Sequence, residues 1–109
     1  MLAERSVVWA ESGGKIRLCV VLRTFGNFAL CIPATGTERS WHQNVRVPRM
    51  SRAGRALSLS KLTFFYGSEA YTEDVECLQP APGRKCVPEL FAQLLQLDLP
   101  QFLVRKPER

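Results

Sequence analysis

The chain has one histidine, His42, and four cysteines, Cys19, Cys31, Cys77 and Cys86, with no C-x-x-C spacing among them. Structural zinc needs four such ligands, normally in closely spaced pairs, so no metal is expected. G-x-x-x-x-G-K-[ST], G-x-G-x-x-G and H-E-x-x-H patterns are all missing, which removes phosphate loops, dinucleotide folds and zinc peptidases. A lone histidine also gives a serine or cysteine triad little basis. No cofactor is expected. Long apolar runs are equally lacking: Val7-Val8-Trp9-Ala10 and Cys19-Val20-Val21-Leu22 fall far below the ~18 residues needed to cross a bilayer. Glu4 and Arg5 interrupt the first residues, so no secretory leader is read there and the cytoplasm is the default expectation. In a reducing compartment most of the cysteines should be small buried hydrophobes, with Cys19 and Cys31 facing each other across neighbouring strands.

What is present fits one soluble domain: 109 residues, 46% apolar and 23% charged. A chain of this size buries roughly 65% of its unfolded surface and can stand on one core. The formal charge of +5 is unevenly placed. Arg39, Arg46, Arg49, Arg52, Arg55 and Lys61 fall in a stretch without a single acidic residue, and the rest of the chain holds nine basic residues against ten acidic. Conversely, Phe64 to Leu78 carries Glu69, Glu73, Asp74 and Glu76 and no basic residue. A local cationic surface of this kind attracts phosphate through counterion release and steering. Trp41 and His42 adjoin it, adding rings that can stack on bases or anchor a loop.

Runs rich in β-branched and aromatic residues at Ser6–Ala10, Ile16–Leu22 and Phe28–Ile32 read as strands. Gly13-Gly14 and Gly26-Asn27 supply the turns of two hairpins. Pro33 is expected to end the third strand and Pro48 the short strand Val45-Arg46-Val47. Met50 to Arg55 reads as a loop. Alternation in Leu57-Ser58-Leu59-Ser60-Lys61-Leu62 predicts another strand, and Asp74–Leu78 a last one with Val75 and Cys77 inside. A helix is predicted over about 87–99, with Pro88 at its first position and Val87, Leu90, Phe91, Leu94 and Leu95 as its apolar face. Pro100 should stop it, and residues 105–109 read as a frayed tail. The expected architecture is mainly β with a C-terminal helix, a small, strongly bent barrel or twisted sheet over about 6–79 closed by that helix.

The order of Val7-Val8-Trp9-Ala10, Gly14-Lys15-Ile16-Arg17-Leu18-Cys19-Val20-Val21-Leu22 and Ala29-Leu30-Cys31-Ile32-Pro33-Ala34-Thr35 resembles the first half of the PemK/MazF toxins. Their pattern is a V-W strand, a glycine-led turn into an R-P-x-x-V-L strand, and a third strand ending in P-x-T. The similarity extends in order over about residues 6 to 99. It implies an SH3-like barrel, often a homodimer, that cleaves single-stranded RNA without metal and is neutralised by a cognate antitoxin. The family's catalytic arginine and threonine match Arg17 and Thr35. Lys15, Arg39, Trp41, His42, Arg46, Arg49, Arg52 and Arg55 are the candidates for RNA contact. Leu18 and Gly36 stand where the pattern has proline and serine, and the Glu11–Lys15 turn is short. These differences favour the alternative functions, a non-catalytic RNA- or protein-binding module on the same barrel or a toxin of the same fold that acts on a protein.

Overall fold

Side chains that alternate in and out along a strand normally bury one face of a sheet, but here the first three strands bury both. The computed structural model describes residues 2–99. In β1 (Val7–Ser12), β2 (Lys15–Phe25) and β3 (Phe28–Thr35), Val7, Leu18, Val20, Leu22, Leu30 and Ile32 join one core. Their sequence neighbours Val8, Ala10, Cys19, Val21, Ala29 and Cys31 join a second, made of smaller side chains. Continuous apolar runs rather than simple alternation are the mark of such doubly covered strands.

The sheet is antiparallel throughout. Its strand order is β4-β5-β3-β2-β1-β7, with β4 at Asn44–Val47, β5 at Thr63–Tyr66 and β7 at Gln79–Pro80, and it is open at β4 and β7. β6 (Tyr71–Asp74) pairs with β3 off this path. Two-residue Gly13-Gly14 closes the first hairpin between Ser12 and Lys15, and both glycines take the positive φ that this turn demands. Between β2 and β3 the register shifts at Leu22, a bulge that bends both strands.

Pro33 does not end β3. Residues 28–31 of β3 pair with β6, whereas Ala34 and Thr35 pair with Phe65 and Phe64 of β5. A proline, which has no N–H for a ladder, is tolerated in the two-residue interval where the strand changes partner. The same register corrects the expectation for the core thiols. Cys19 lies opposite Pro33 and Cys31 opposite Val21, so the two sulfurs are diagonal neighbours on one face. Both are free thiols.

The stretch expected as a loop at Met50–Arg55 instead contains α1 (Arg52–Ala56). Ser51 caps it, its hydroxyl accepting from the Gly54 N–H at 3.0 Å. The expected strand at 57–62 is absent because Ser58 takes φ 56° and turns the chain. Ser58 N–H donates to Arg55 O and Leu59 N–H to Gly54 O, each at 3.0 Å, which is the double closure of a Schellman motif. Leu57 and Leu59 therefore reach the core from a helix end, with Leu57 fully buried. The last predicted strand is displaced as well: β6 ends at Asp74, a short 3-10 turn covers Val75–Cys77, and Cys77 is exposed.

α2 (Pro88–Leu95) is shorter than the predicted helix. Leu90, Leu94 and Leu97 pack into the larger core, while Leu95 lies on the exposed side. The predicted stop at Pro100 and the tail at 105–109 lie outside the described residues. No helix among the described residues is long and apolar enough to cross a membrane.

Two expected outcomes follow from this packing. Replacing a helical glycine by alanine ordinarily stabilises by about 1 kcal/mol. At Gly54, however, a Cβ would overlap the Pro48 carbonyl oxygen and stand 2.6 Å from that of Arg49. Gly54→Ala should instead cost about 1–3 kcal/mol, read as a lower urea midpoint; a raised midpoint contradicts the close approach. Burial also pushes the Cys19 thiol up to about 12 and Cys86 up to about 11, against an ordinary value of 9, and raises Cys31 further. Thiols whose folded pKa is raised contribute stability that is full below pH 9 and is lost as pH climbs toward 11–12, because the unfolded chain ionises first. The urea midpoint should fall above pH 9, and less steeply in a Cys19→Ala, Cys31→Ala variant than in wild type.

Candidate functional site

The β2–β3 ladder ends at Cys19–Pro33, and Arg17 and Thr35 lie just beyond it, at the ends of β2 and β3 away from their hairpin. Both side chains line one cleft of about 580 Å³. The Arg17 guanidinium lies against β3, its Nη1 donating to Ala34 O at a long 3.5 Å. Thr35 is 6% exposed. Its Oγ1 accepts from the Thr37 N–H at 3.2 Å, so the hydroxyl is oriented by the backbone and keeps its own proton to donate.

The opposite wall comes from the turn after α1. Ser58, Leu59, Ser60 and Lys61 face the β2–β3 edge across the opening. Arg84 holds that wall: its Nη1 donates to Leu57 O at 2.8 Å and Ser58 O at 3.0 Å. Its guanidinium also lies over the Trp9 ring, 5.1 Å from the centroid. Lys85 N–H extends the clamp to Ala56 O at 2.8 Å, so the closing carbonyls of α1 are met by the segment that leads into α2.

Four cationic side chains, Lys15, Arg17, Lys61 and Arg84, line this cleft, and its described lining contains no carboxylate. A concave surface with charge of one sign focuses the field on an entering anion. Arginine presents donors in a fixed fork that matches phosphate oxygens, and lysine supplies a mobile point charge beside it. At the rim Ile16 is 74% exposed, an apolar surface beside the cations. Among the described lining residues there is no histidine or carboxylate to act as a general base, so what this set offers is positioning and charge stabilisation.

Of the residues picked out from sequence, Arg17, Thr35 and Lys15 are brought together here, and the others stand elsewhere. Arg39 pairs with Glu69 and lies over the Tyr66 ring at 5.0 Å. Its N–H donates to the Tyr66 hydroxyl at 2.6 Å, and that hydroxyl donates to Thr37 O at 2.7 Å. His42 meets the same ring edge-on. Arg39 and His42 thus fasten the 36–43 loop to buried Tyr66. Arg46 lines a separate cleft with Gln43, Asn44, Gln93 and Gln96. Arg52 forms an exposed pair with Glu89 at 3.0 Å, and Arg49, Arg55 and Trp41 are exposed outside the Arg17 cleft, Trp41 at 87%.

Sequence reading missed Arg84 as a member of the site and counted Lys61 only among the basic stretch. Arg84 follows Pro82-Gly83 in a connector, where no periodicity signals a partner; its role depends on the turn at Ser58. No protein-family model matches this chain, and no curated protein and no solved structure matches it either. The cleft is therefore read from its own geometry.

If Arg84 is the clamp, Arg84→Met should cost about 1–2 kcal/mol through two lost charge-assisted hydrogen bonds at a partly exposed position. In a Trp41→Phe background the emission of Trp9 should shift to the red as its covering cation leaves. Unchanged emission and stability would show that the turn holds without it.

Proposed function

We infer that the chain is a PemK/MazF-like endoribonuclease, an SH3-like barrel in the same sense, that cuts single-stranded RNA by attack of a ribose 2′-hydroxyl on the adjacent phosphate. The observation that carries this reading is the convergence of Arg17 and Thr35, from adjacent strands, on one cationic cleft whose described lining is free of carboxylates. In such a reaction the 2′-oxygen forms a bond to phosphorus as the bond to the 5′-oxygen breaks. The 2′-proton passes to solvent and the departing 5′-oxygen takes one up, leaving a 2′,3′-cyclic phosphate and a 5′-hydroxyl.

RNA brings its own nucleophile, so the protein has to bend the strand and stabilise charge on the phosphoryl oxygens. Arg17 is suited to that charge because a guanidinium presents its N–H donors in a fixed fork that matches phosphate oxygens. The Thr35 hydroxyl, held by Thr37 N–H, is suited to donate to a phosphate oxygen or to the leaving group. An antitoxin with an acidic segment lying across the same cations, and a homodimer, complete the reading.

The low exposure of Thr35 favours one second reading, a binding module on the same barrel in which Thr35 only shapes the cleft and RNA is held uncut. Purified protein incubated with a long single-stranded RNA in excess chelator separates the two. Cyclic phosphate ends are expected, with Arg17→Ala slowing cleavage by about 10²–10³-fold, the usual loss of one charge-stabilising donor, and Thr35→Val slowing it as well. Intact RNA that is nevertheless bound with steep salt dependence supports the module. Growth arrest without RNA cleavage or binding points to a protein target and ends the ribonuclease reading.

A further inference from the structure

Gly36, next to Thr35, has a neighbour where a side chain would be. A Cβ built on it would stand 2.7 Å from Lys61 Cε and 2.8 Å from Lys61 Nζ, closer than real Cβ contacts come. The end of the lysine thus rests on the bare backbone of residue 36, inside the cleft that holds Arg17 and Thr35. Its backbone lies two residues before β5 and is tied to it: Lys61 O accepts from the Thr63 hydroxyl at 3.0 Å, and Phe64 pairs with Thr35. A strand pair therefore sets the spacing between residue 61 and residue 35. The ion pairs Arg39–Glu69 and Arg52–Glu89 lie outside the cleft.

We propose that Lys61, seated in the space left by the missing side chain of Gly36, is the second phosphate ligand of the cleft and shares the RNA backbone with Arg17. This rests on the ribonucleolytic reading of the site and adds the residue that completes its anion-binding set. A solvated lysine loses side-chain entropy when it is confined, as does any long side chain. Here the space above residue 36, left open by the missing side chain, gives the end of the lysine a place inside the cleft. The guanidinium of Arg17 and the ammonium of Lys61 line the same cleft, where a phosphate would be shared between them. The bulk at residue 36 then tunes the site: any side chain there displaces the ammonium while leaving the net charge unchanged.

The test uses a 2′-O-methyl single-stranded oligonucleotide, which binds without being cut, followed by fluorescence anisotropy from low to moderate salt. Lys61→Gln should weaken binding about fivefold and lower the slope of log K against log salt by about 0.7, the value for one phosphate contact on a single strand. Gly36→Ala, with every charge retained, should produce the same direction of loss in affinity and slope. Arg23→Gln, which removes one exposed charge on β2 away from the cleft, should leave the slope at the wild-type value. On cleavable RNA, Lys61→Gln should slow cleavage further than its binding loss accounts for. If Arg17→Ala loses binding while Lys61→Gln and Gly36→Ala behave as wild type, the assignment of Lys61 is overturned and the ribonuclease reading stands. If wild-type protein neither binds nor cuts RNA, both fall together.

Discussion

The site exists because β3 serves two partners in succession. Up to Cys31 its outer edge belongs to β6, and from Ala34 it belongs to β5, with Pro33 in the interval. Without that change the end of β3 would remain an edge of the first sheet, and Thr35 would have no second wall across from it. With it, β5 brings its preceding turn, including Ser58, Ser60 and Lys61, to the open ends of β2 and β3. The bulge at Leu22 works in the same direction by bending the β2–β3 pair around the larger core. The cleft is thus a by-product of how one strand is shared, with one wall set by the ladders and the other by the turn that Arg84 holds.

Its electrostatics follow from separation in sequence. The basic stretch from Arg39 to Lys61 looked like one surface, yet its members leave in different directions: Arg39 to Glu69 and Tyr66, Arg46 to a cleft beside α2, and Arg52 to Glu89. The exposed Arg52–Glu89 pair contributes little to stability, and it and the half-buried Arg39–Glu69 pair each moderate one of the arginines that composition counts as free charge. The cations that do converge come from β2, from the turn before β5 and from the connector before α2. Charge density in a chain and charge density on a surface are different quantities, and only the fold converts one into the other.

The same distinction explains what was legible in the sequence. β1, β2, β3 and the turn at Gly13-Gly14 could be read because local chemistry and final structure agree there, and so could Arg17 and Thr35, which sit on those strands. The stretch from Ser51 to Leu62 could not. Leu57-Ser58-Leu59-Ser60 has the period of a strand, but Ser58 closes a helix, and the deciding signals were Ser51 as a cap and Gly54 packed against the Pro48 and Arg49 carbonyls. A glycine in a basic, small-residue segment suggests mobility until the carbonyls that require it are known. Lys61 and Arg84 were hidden for the same reason, since their partners, Gly36 and the Leu57 and Ser58 carbonyls, lie more than 20 residues away.

A division of labour among the cleft's cations emerges from their contacts. Arg84 is committed: two backbone carbonyls and the Trp9 face occupy its guanidinium, so it fixes the distance between walls and lends its charge at one remove. Among the described residues the hydrogen bond of the Arg17 guanidinium goes to Ala34 O, at the outer limit of such a bond, and breaking it to turn toward a ligand costs little. The end of Lys61 occupies the space beside Gly36. A cleft that is to accept a flexible, charged strand needs both kinds: walls that do not move when the anion arrives, and donors not already consumed by the protein. Had Arg84 and Arg17 exchanged roles, the wall would be loose and the strongest phosphate fork would be spent on the backbone.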